Sequence, residues 1–238
     1  MESGLDNPLK DNWQLQLVLR GISKTHGRPP AQKLPITPGI LRRIHQQLDL
    51  SLPLHIVFWA ACLVAFFSFC RKATLVPKSR ADSQDALCRG DVRFVSRGVV
   101  LGIRKTKTIQ CGERVLEIPL HEQGDAALCP VAALRAVWGL GQYPSDLPLF
   151  TFRSADIVQT LDYKMFTNLL RSVLSASGIA TDLYSGHSLR RGGATYAFER
   201  GVPPSYIKLQ GDWKSSCWER SVHIPLELRW KLAATMTS

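Results

Sequence analysis

Apolar residues recur at helical spacing over most of the chain and alternate in one central stretch. Trp13, Leu15, Leu17, Val18 and Ile22 fit one short amphipathic helix, and Gly27-Arg28-Pro29-Pro30 behind it reads as a linker. Thr37-Pro38 is an N-cap followed by proline at the first helical position. Ile40, Leu41, Ile44 and Leu48 then form one stripe. Pro53 opens a long helix that is apolar from Leu54 to Cys70 except for His55 and Ser68. The run is short for a membrane span and stands alone, which predicts a buried core helix. It also predicts Arg71 at the helix C-terminus, where the dipole favours a cation.

After a loop rich in Ser, Asp and Arg the period changes to two. Val92 to Val95, a turn at Arg97-Gly98 and Val99 to Arg104 read as a hairpin, and Arg114 to Leu120 supplies a third strand. Arg104-Lys105-Thr106-Lys107-Thr108 is then a basic tip, either a solvated loop or a group that reaches a phosphate. Helical spacing returns at Pro130 and stops at Gly139 or Gly141. Leu149 to Phe152 predicts a short strand, and Tyr163 to Ala176 an amphipathic helix stopped by Gly178. Further helices are predicted from Ser188 to Arg200, from Pro203-Pro204 to Gly211, near Ser215 to Arg220, and from Pro225 to Ala234. The fold class is therefore α+β, mostly helical, with a small three-stranded antiparallel sheet. Residues 1–33 are too short for a domain and read as an arm and linker before one domain at 34–238.

Composition narrows the partner. The chain has 238 residues, 45% of them hydrophobic, enough for a full core. Lys+Arg 30 against Asp+Glu 19 gives a net charge of +11 and a pI near 9.7. A folded domain this basic suits a polyanion, nucleic acid before an acidic membrane. The six cysteines form no CxxC pair, which suits a reducing compartment without disulfides. Cys111, His121 and Cys129 fit no standard zinc spacing, and the glycines fit neither a phosphate-binding Walker loop nor a dinucleotide fingerprint. No metal or cofactor is expected. The N-terminus is polar and has no signal-peptide pattern.

The densest chemistry lies in Tyr184-Ser185-Gly186-His187-Ser188-Leu189-Arg190-Arg191-Gly192-Gly193-Ala194. His187 and Arg190 are three apart and share a helix face, whereas Arg190 and Arg191 diverge. An imidazole beside a planar five-donor fork suits an anionic tetrahedral group, above all phosphate. Gly192 and Gly193 weaken a helix, so their presence inside one points to close packing or close ligand approach. The alternative is a solvated basic turn at a helix start.

Five segments together resemble the tyrosine recombinase (phage integrase) family over roughly Leu34 to Trp230: Phe66 to Lys72, Lys107 to Gln110, Tyr184 to Gly193, Gly211 to Ser215, and His223 to Glu227. The resemblance is nearest to the Ngaro- and DIRS-type retroelement branch, with Cryptons as cousins. It implies the helical DNA breaking-rejoining domain, double-stranded DNA as partner, homo-oligomers on DNA, no membrane association, and the nucleus as location. In that family a tyrosine attacks a backbone phosphate and forms a 3′-phosphotyrosyl link. Two arginines and a His or Lys steady the non-bridging oxygens, and a lysine protonates the leaving 5′ oxygen. Position by position, the resemblance implies these roles for Arg71, Lys107, His187 and Arg190, with Trp213 at the site that holds His or Trp and Lys105 as rival to Lys107. Two departures stand out. Thr74 replaces the acidic residue usual three positions after the first arginine, and Ser221 stands where the nucleophilic tyrosine is expected. Tyr206 precedes Trp213 and is a poor substitute. The resemblance further implies that residues 1–33 are a remnant of the family's N-terminal clamp domain, and that cleavage is lost.

Overall fold

A computed structural model describes residues 12–26, 32–79, 83, 85–106, 109, 114–215, 218–224 and 229–230. The chain divides into two compact units, Met1–Gln32 and Lys33–Ser238. The first contains helix α1 (Trp13–His26), capped by Asn12 Oδ1 on the amide of Leu15 at 3.0 Å. Its apolar residues Trp13, Leu17, Val18 and Ile22 are exposed.

The second unit is built around α3 (Pro53–Ser68). Every residue from Val57 to Phe66 is buried, because the helix is apolar on all sides and finds partners on all sides. It packs on α5 (Pro130–Gly139), α7 (Gly186–Glu199) and β4 (Thr151–Ser154). No helix among the described residues is long and apolar enough to cross a membrane. Before α3, α2 (Pro38–Gln46) starts as its sequence predicts, with Thr37 Oγ1 accepting from the amide of Ile40 at 3.2 Å.

The central alternation forms the sheet β1 (Val92–Val95), β2 (Gly98–Ile103) and β3 (Leu116–His121), antiparallel in the order β1-β2-β3. Leu116, Ile118 and Leu120 point inward, while Glu117, Pro119 and His121 face water. The turn at Ser96-Arg97 returns through Gly98 at φ 147°, where a Cβ would lie 2.1 Å from the Leu120 carbonyl oxygen. Only glycine fits there.

The single short strand expected at Leu149 to Phe152 is instead a hairpin, β4 with β5 (Ile157–Thr160). Its two-residue turn, Ala155-Asp156, has positive φ at both positions, the geometry that matches strand twist. It lacks the glycine that would mark it in the sequence. Then follow α6 (Tyr163–Ala176), α7 and α8 (Pro204–Gln210). Between α3 and β1 lies α4 (Lys72–Leu75). The linker Gly27 to Pro30 and nearly all of the helix expected at Pro225 to Ala234 lie outside the described residues. The helix expected near Ser215 to Arg220 is, where described, a turn around Trp218. Cys62, Cys70, Cys88 and Cys129 are free thiols, and Cys111 lies outside the described residues.

Candidate phosphate-binding site

Arg71 does not sit at the end of α3. The helix stops at Ser68, whose Oγ donates back to the Val64 carbonyl at 2.6 Å and accepts from the Cys70 amide at 3.2 Å. Phe69 is left-handed at φ 54°, a conformation that costs a bulky residue energy. The chain therefore turns, and Arg71 becomes the N-cap residue of α4. The dipole of α3 does not account for it. Half-buried, the Arg71 guanidinium makes no hydrogen bond or ion pair with any described residue, while its carbonyl accepts from the Thr74 amide at 2.9 Å.

The turn at Phe69 is held from α7. Arg190 donates one Nη to the Phe69 carbonyl and the other to the Gly211 carbonyl at 2.8 Å, and its guanidinium carbon lies 3.8 Å from the centre of the Trp213 ring. A planar fork can do this; an ammonium cannot. Arg190 is 2% exposed and Trp213 7%. Trp213 packs with Phe69, Ala194 and Ile207 in a small second core. Gly211 is required beneath it, because a Cβ there would lie 1.7 Å from the indole.

The glycine pair is explained by packing. A Cβ on Gly192 would meet the Ile36 carbonyl oxygen at 1.8 Å, and one on Gly193 the Phe66 carbonyl oxygen at the same distance. The backbone of α7 thus lies directly on the end of α3, which delivers His187 and Arg190 beside Arg71. Helix α7 starts two residues earlier than its sequence suggests, with Ser185 as N-cap: Ser185 Oγ accepts from the His187 amide at 3.2 Å, and Ser188 Oγ from the Ser185 amide at 3.0 Å. His187 therefore stands in the first turn.

Arg71 and His187 line one cleft of about 390 Å³ together with Lys72, Tyr163, Arg171 and Tyr184. No acidic side chain is among the described residues that line it. Arg71 also lines a small adjoining pocket with Arg190, Thr106 and Asp212. Partial burial, and then the charges of Arg190, Arg71, Arg191 and Lys72, hold the His187 pKa below the ordinary histidine value. The ring is nonetheless exposed, so the surrounding cations are the part of that shift which a bound anion would offset. Lys72 is pulled down as well, by burial first. Its Nζ donates to Thr167 Oγ1 at 2.7 Å and lies over the Tyr163 ring.

Four of the sequence-predicted residues, Arg71, His187, Arg190 and Trp213, are thus brought together. Ser221 is half-buried, and its carbonyl accepts at 3.4 Å from Nε of Arg191, whose side chain diverges from that of Arg190. Lys107 lies outside the described residues. Its rival Lys105 is exposed and paired with Asp85 at 2.5 Å. Thr74 is buried and lines the small pocket with Arg71. Tyr206 is exposed on α8. No group of His, Cys, Asp and Glu among the described residues could hold a metal ion.

Sequence reasoning missed Asp212, Thr106, Arg114 and Lys72. Asp212 had one visible signal, a carboxylate next to Trp213 in a basic chain; the others carry none, because their partners are distant in sequence.

No family model matches the chain. It is 26% identical over 229 residues to an integrase/recombinase XerD homolog of Selenomonas ruminantium, covering 94% of this chain and 62% of that protein. Its fold is similar to that of the XerH site-specific recombinase in a post-cleavage complex with palindromic difH substrate, with TM-score 0.60 and 14% identity over 87% of this chain and 54% of that one. It is also similar to a lambda integrase dimer bound to a COC′ core site, with TM-score 0.55 and 14% identity over 88% of this chain and 57% of that one. The chain spans 62% of the curated relative's length and little more than half of these two solved chains. With its mostly helical body and small antiparallel sheet, the chain has the tyrosine recombinase catalytic-domain fold.

Proposed function

We propose that this chain binds double-stranded DNA by holding one backbone phosphate at Arg71 and His187, with the charge of Arg190 behind them, as an integrase-like domain that has lost strand cleavage. The observation that carries this reading is that Arg71, from the turn after α3, and His187, from α7, line one cleft whose described lining has no carboxylate, with Arg190 behind Arg71 in the adjoining small pocket. Arg71 and His187 offer donors to the non-bridging oxygens, and the buried Arg190 adds fixed charge behind them. Arg190 is held in place before the ligand arrives, by the Phe69 and Gly211 carbonyls and the Trp213 ring, and phosphoryl transfer chiefly requires such positioning of a protein.

The loss of cleavage rests on Ser221. A serine hydroxyl is shorter and far less acidic than a phenol, and no described group beside it is an evident base. The five segments taken together support the Ngaro and DIRS branch as origin, and DNA-bound dimers among the similar structures support an oligomer on DNA. Residues 1–33 are proposed as the remnant of a clamp domain. A second reading, a retained DNA-binding or interaction module whose pocket is itself decayed, is favoured by Thr74 at the position usually acidic.

A gel search for a covalent protein–DNA adduct on a nicked duplex separates the two. The chain as it stands should bind DNA with strong salt dependence and form no adduct. Ser221→Tyr should form one if the pocket is intact, and none under the second reading. An adduct with the unmodified chain would refute the loss of cleavage, and absence of salt-dependent binding would refute the whole proposal.

A further inference from the structure

Asp212 is a buried carboxylate that the phosphate site does not use. It is 7% exposed and its backbone is left-handed at φ 51°. One carboxylate oxygen accepts from Thr106 Oγ1 at 2.6 Å and the other from Arg114 Nη2 at 2.5 Å. Thr106 lies three residues past the end of β2, and Arg114 lies two before the start of β3. A single side chain therefore clasps both legs of the loop between those strands. Thr106 is fixed in turn by Ile109, through an amide-to-carbonyl bond and an amide-to-hydroxyl bond of 3.0 Å each, and Ile109 is fully buried.

The same residue sits between two supports of the guanidinium at the phosphate site. Gly211 before it gives its carbonyl to Arg190, and Trp213 after it lies under the Arg190 guanidinium. Asp212, Thr106, Arg71 and Arg190 line one small pocket. We propose that Asp212 is a positioning residue that ties the two described legs of the β2–β3 loop, at Thr106 and Arg114, to the turn whose Gly211 and Trp213 support Arg190. This rests on the reading of the site given above.

Two physical arguments support the role. An exposed Asp–Arg pair holds a loop weakly, but release of Thr106 and Arg114 takes two donors from a buried carboxylate, so the loop leaves only at considerable cost. Glycine, asparagine and aspartate meet a left-handed backbone at least cost, and of these only aspartate adds a charged acceptor that reaches both legs.

Asp212→Asn and Asp212→Gly both tolerate the backbone, so each is expected to fold. Hydrogen exchange on the otherwise unmodified chain should then rise about tenfold or more in residues 103–116 with α3 and α7 unchanged, since release is local. Unchanged exchange in that loop, or a rise spread evenly over the domain, would overturn the proposal. In the Ser221→Tyr chain, Asp212→Asn should slow adduct formation about tenfold or more with DNA affinity held within about threefold. Full adduct formation by the Asn variant would also overturn it. If the Ser221→Tyr parent forms no adduct, that result weighs against an intact pocket, and the exchange measurement decides the role of Asp212.

Discussion

Helices α3 and α7 lie against each other and are both buried, but by different means. Helix α3 is buried because its side chains are apolar on every side, from Val57 to Phe66. Helix α7 has Ser188, Arg190, Arg191 and Thr195 among its buried residues and two glycines at its tightest contacts. Apolar burial is tolerant, since many hydrophobic residues of similar volume serve. The burial of α7 depends on specific carbonyl acceptors and on the absence of two methyl groups. A helix that holds charge at a site needs this second kind of burial, because a guanidinium kept from water must find its partners in the fold.

The sharpest way to break the comparison is to exchange a methyl between the two helices. Gly193→Ala places a Cβ against the Phe66 carbonyl oxygen and should cost more than about 4 kcal/mol or prevent folding, read by denaturant unfolding or soluble yield. A loss below about 1 kcal/mol would mean that the two backbones do not approach as described. In α3, Phe58→Ala removes a fully buried ring that meets Phe166 at 5.2 Å and should cost about 3–5 kcal/mol, with Phe58→Leu recovering most of it. Arg190→Lys should cost about 2–3 kcal/mol, because one ammonium cannot serve the Phe69 and Gly211 carbonyls and stack on Trp213 together. A Lys variant as stable as the parent would show that α7 is no more exacting than α3. The reciprocal exchange, Ala61→Gly, should cost only about 1–2 kcal/mol.

The smallest expected effect concerns pH. The His187 pKa is lowered in the folded chain, so between that value and the ordinary one the unfolded chain binds more protons. Its contribution to stability is complete above the ordinary histidine value and is lost as pH falls from there through the lowered folded value. DNA binding should respond with the opposite sign: a phosphate beside the ring raises its pKa, binding takes up a proton, and affinity rises as pH falls through the same window. Binding titrations with the parent and His187→Gln test this; an equal pH slope in both would remove His187 from the phosphate site.

The sheet and the principal helices were legible because each follows from local rules. Alternation marked β1 to β3, and proline and glycine bounded α5 and α8. The β4–β5 hairpin was missed because its Ala155-Asp156 turn lacks the usual glycine. The end of α3 was misplaced because nothing in Ser68-Phe69-Cys70 announces a left-handed phenylalanine. That turn exists because Arg190, far along the chain, takes the carbonyl it exposes.

The sequence by itself determined an all-round apolar helix, a small basic antiparallel sheet and a His-Arg helix with room for close approach. Periodicity, capping and the missing Cβ of glycine act within a few residues. The tertiary structure decided that Arg71 leaves the end of α3 to stand beside His187, that Arg190 is tied to Phe69, Gly211 and Trp213, and that Asp212 clasps both legs of a loop about a hundred residues earlier. Buried charge takes whatever acceptors the folded chain brings near it, and pairing between distant segments leaves no local pattern to read.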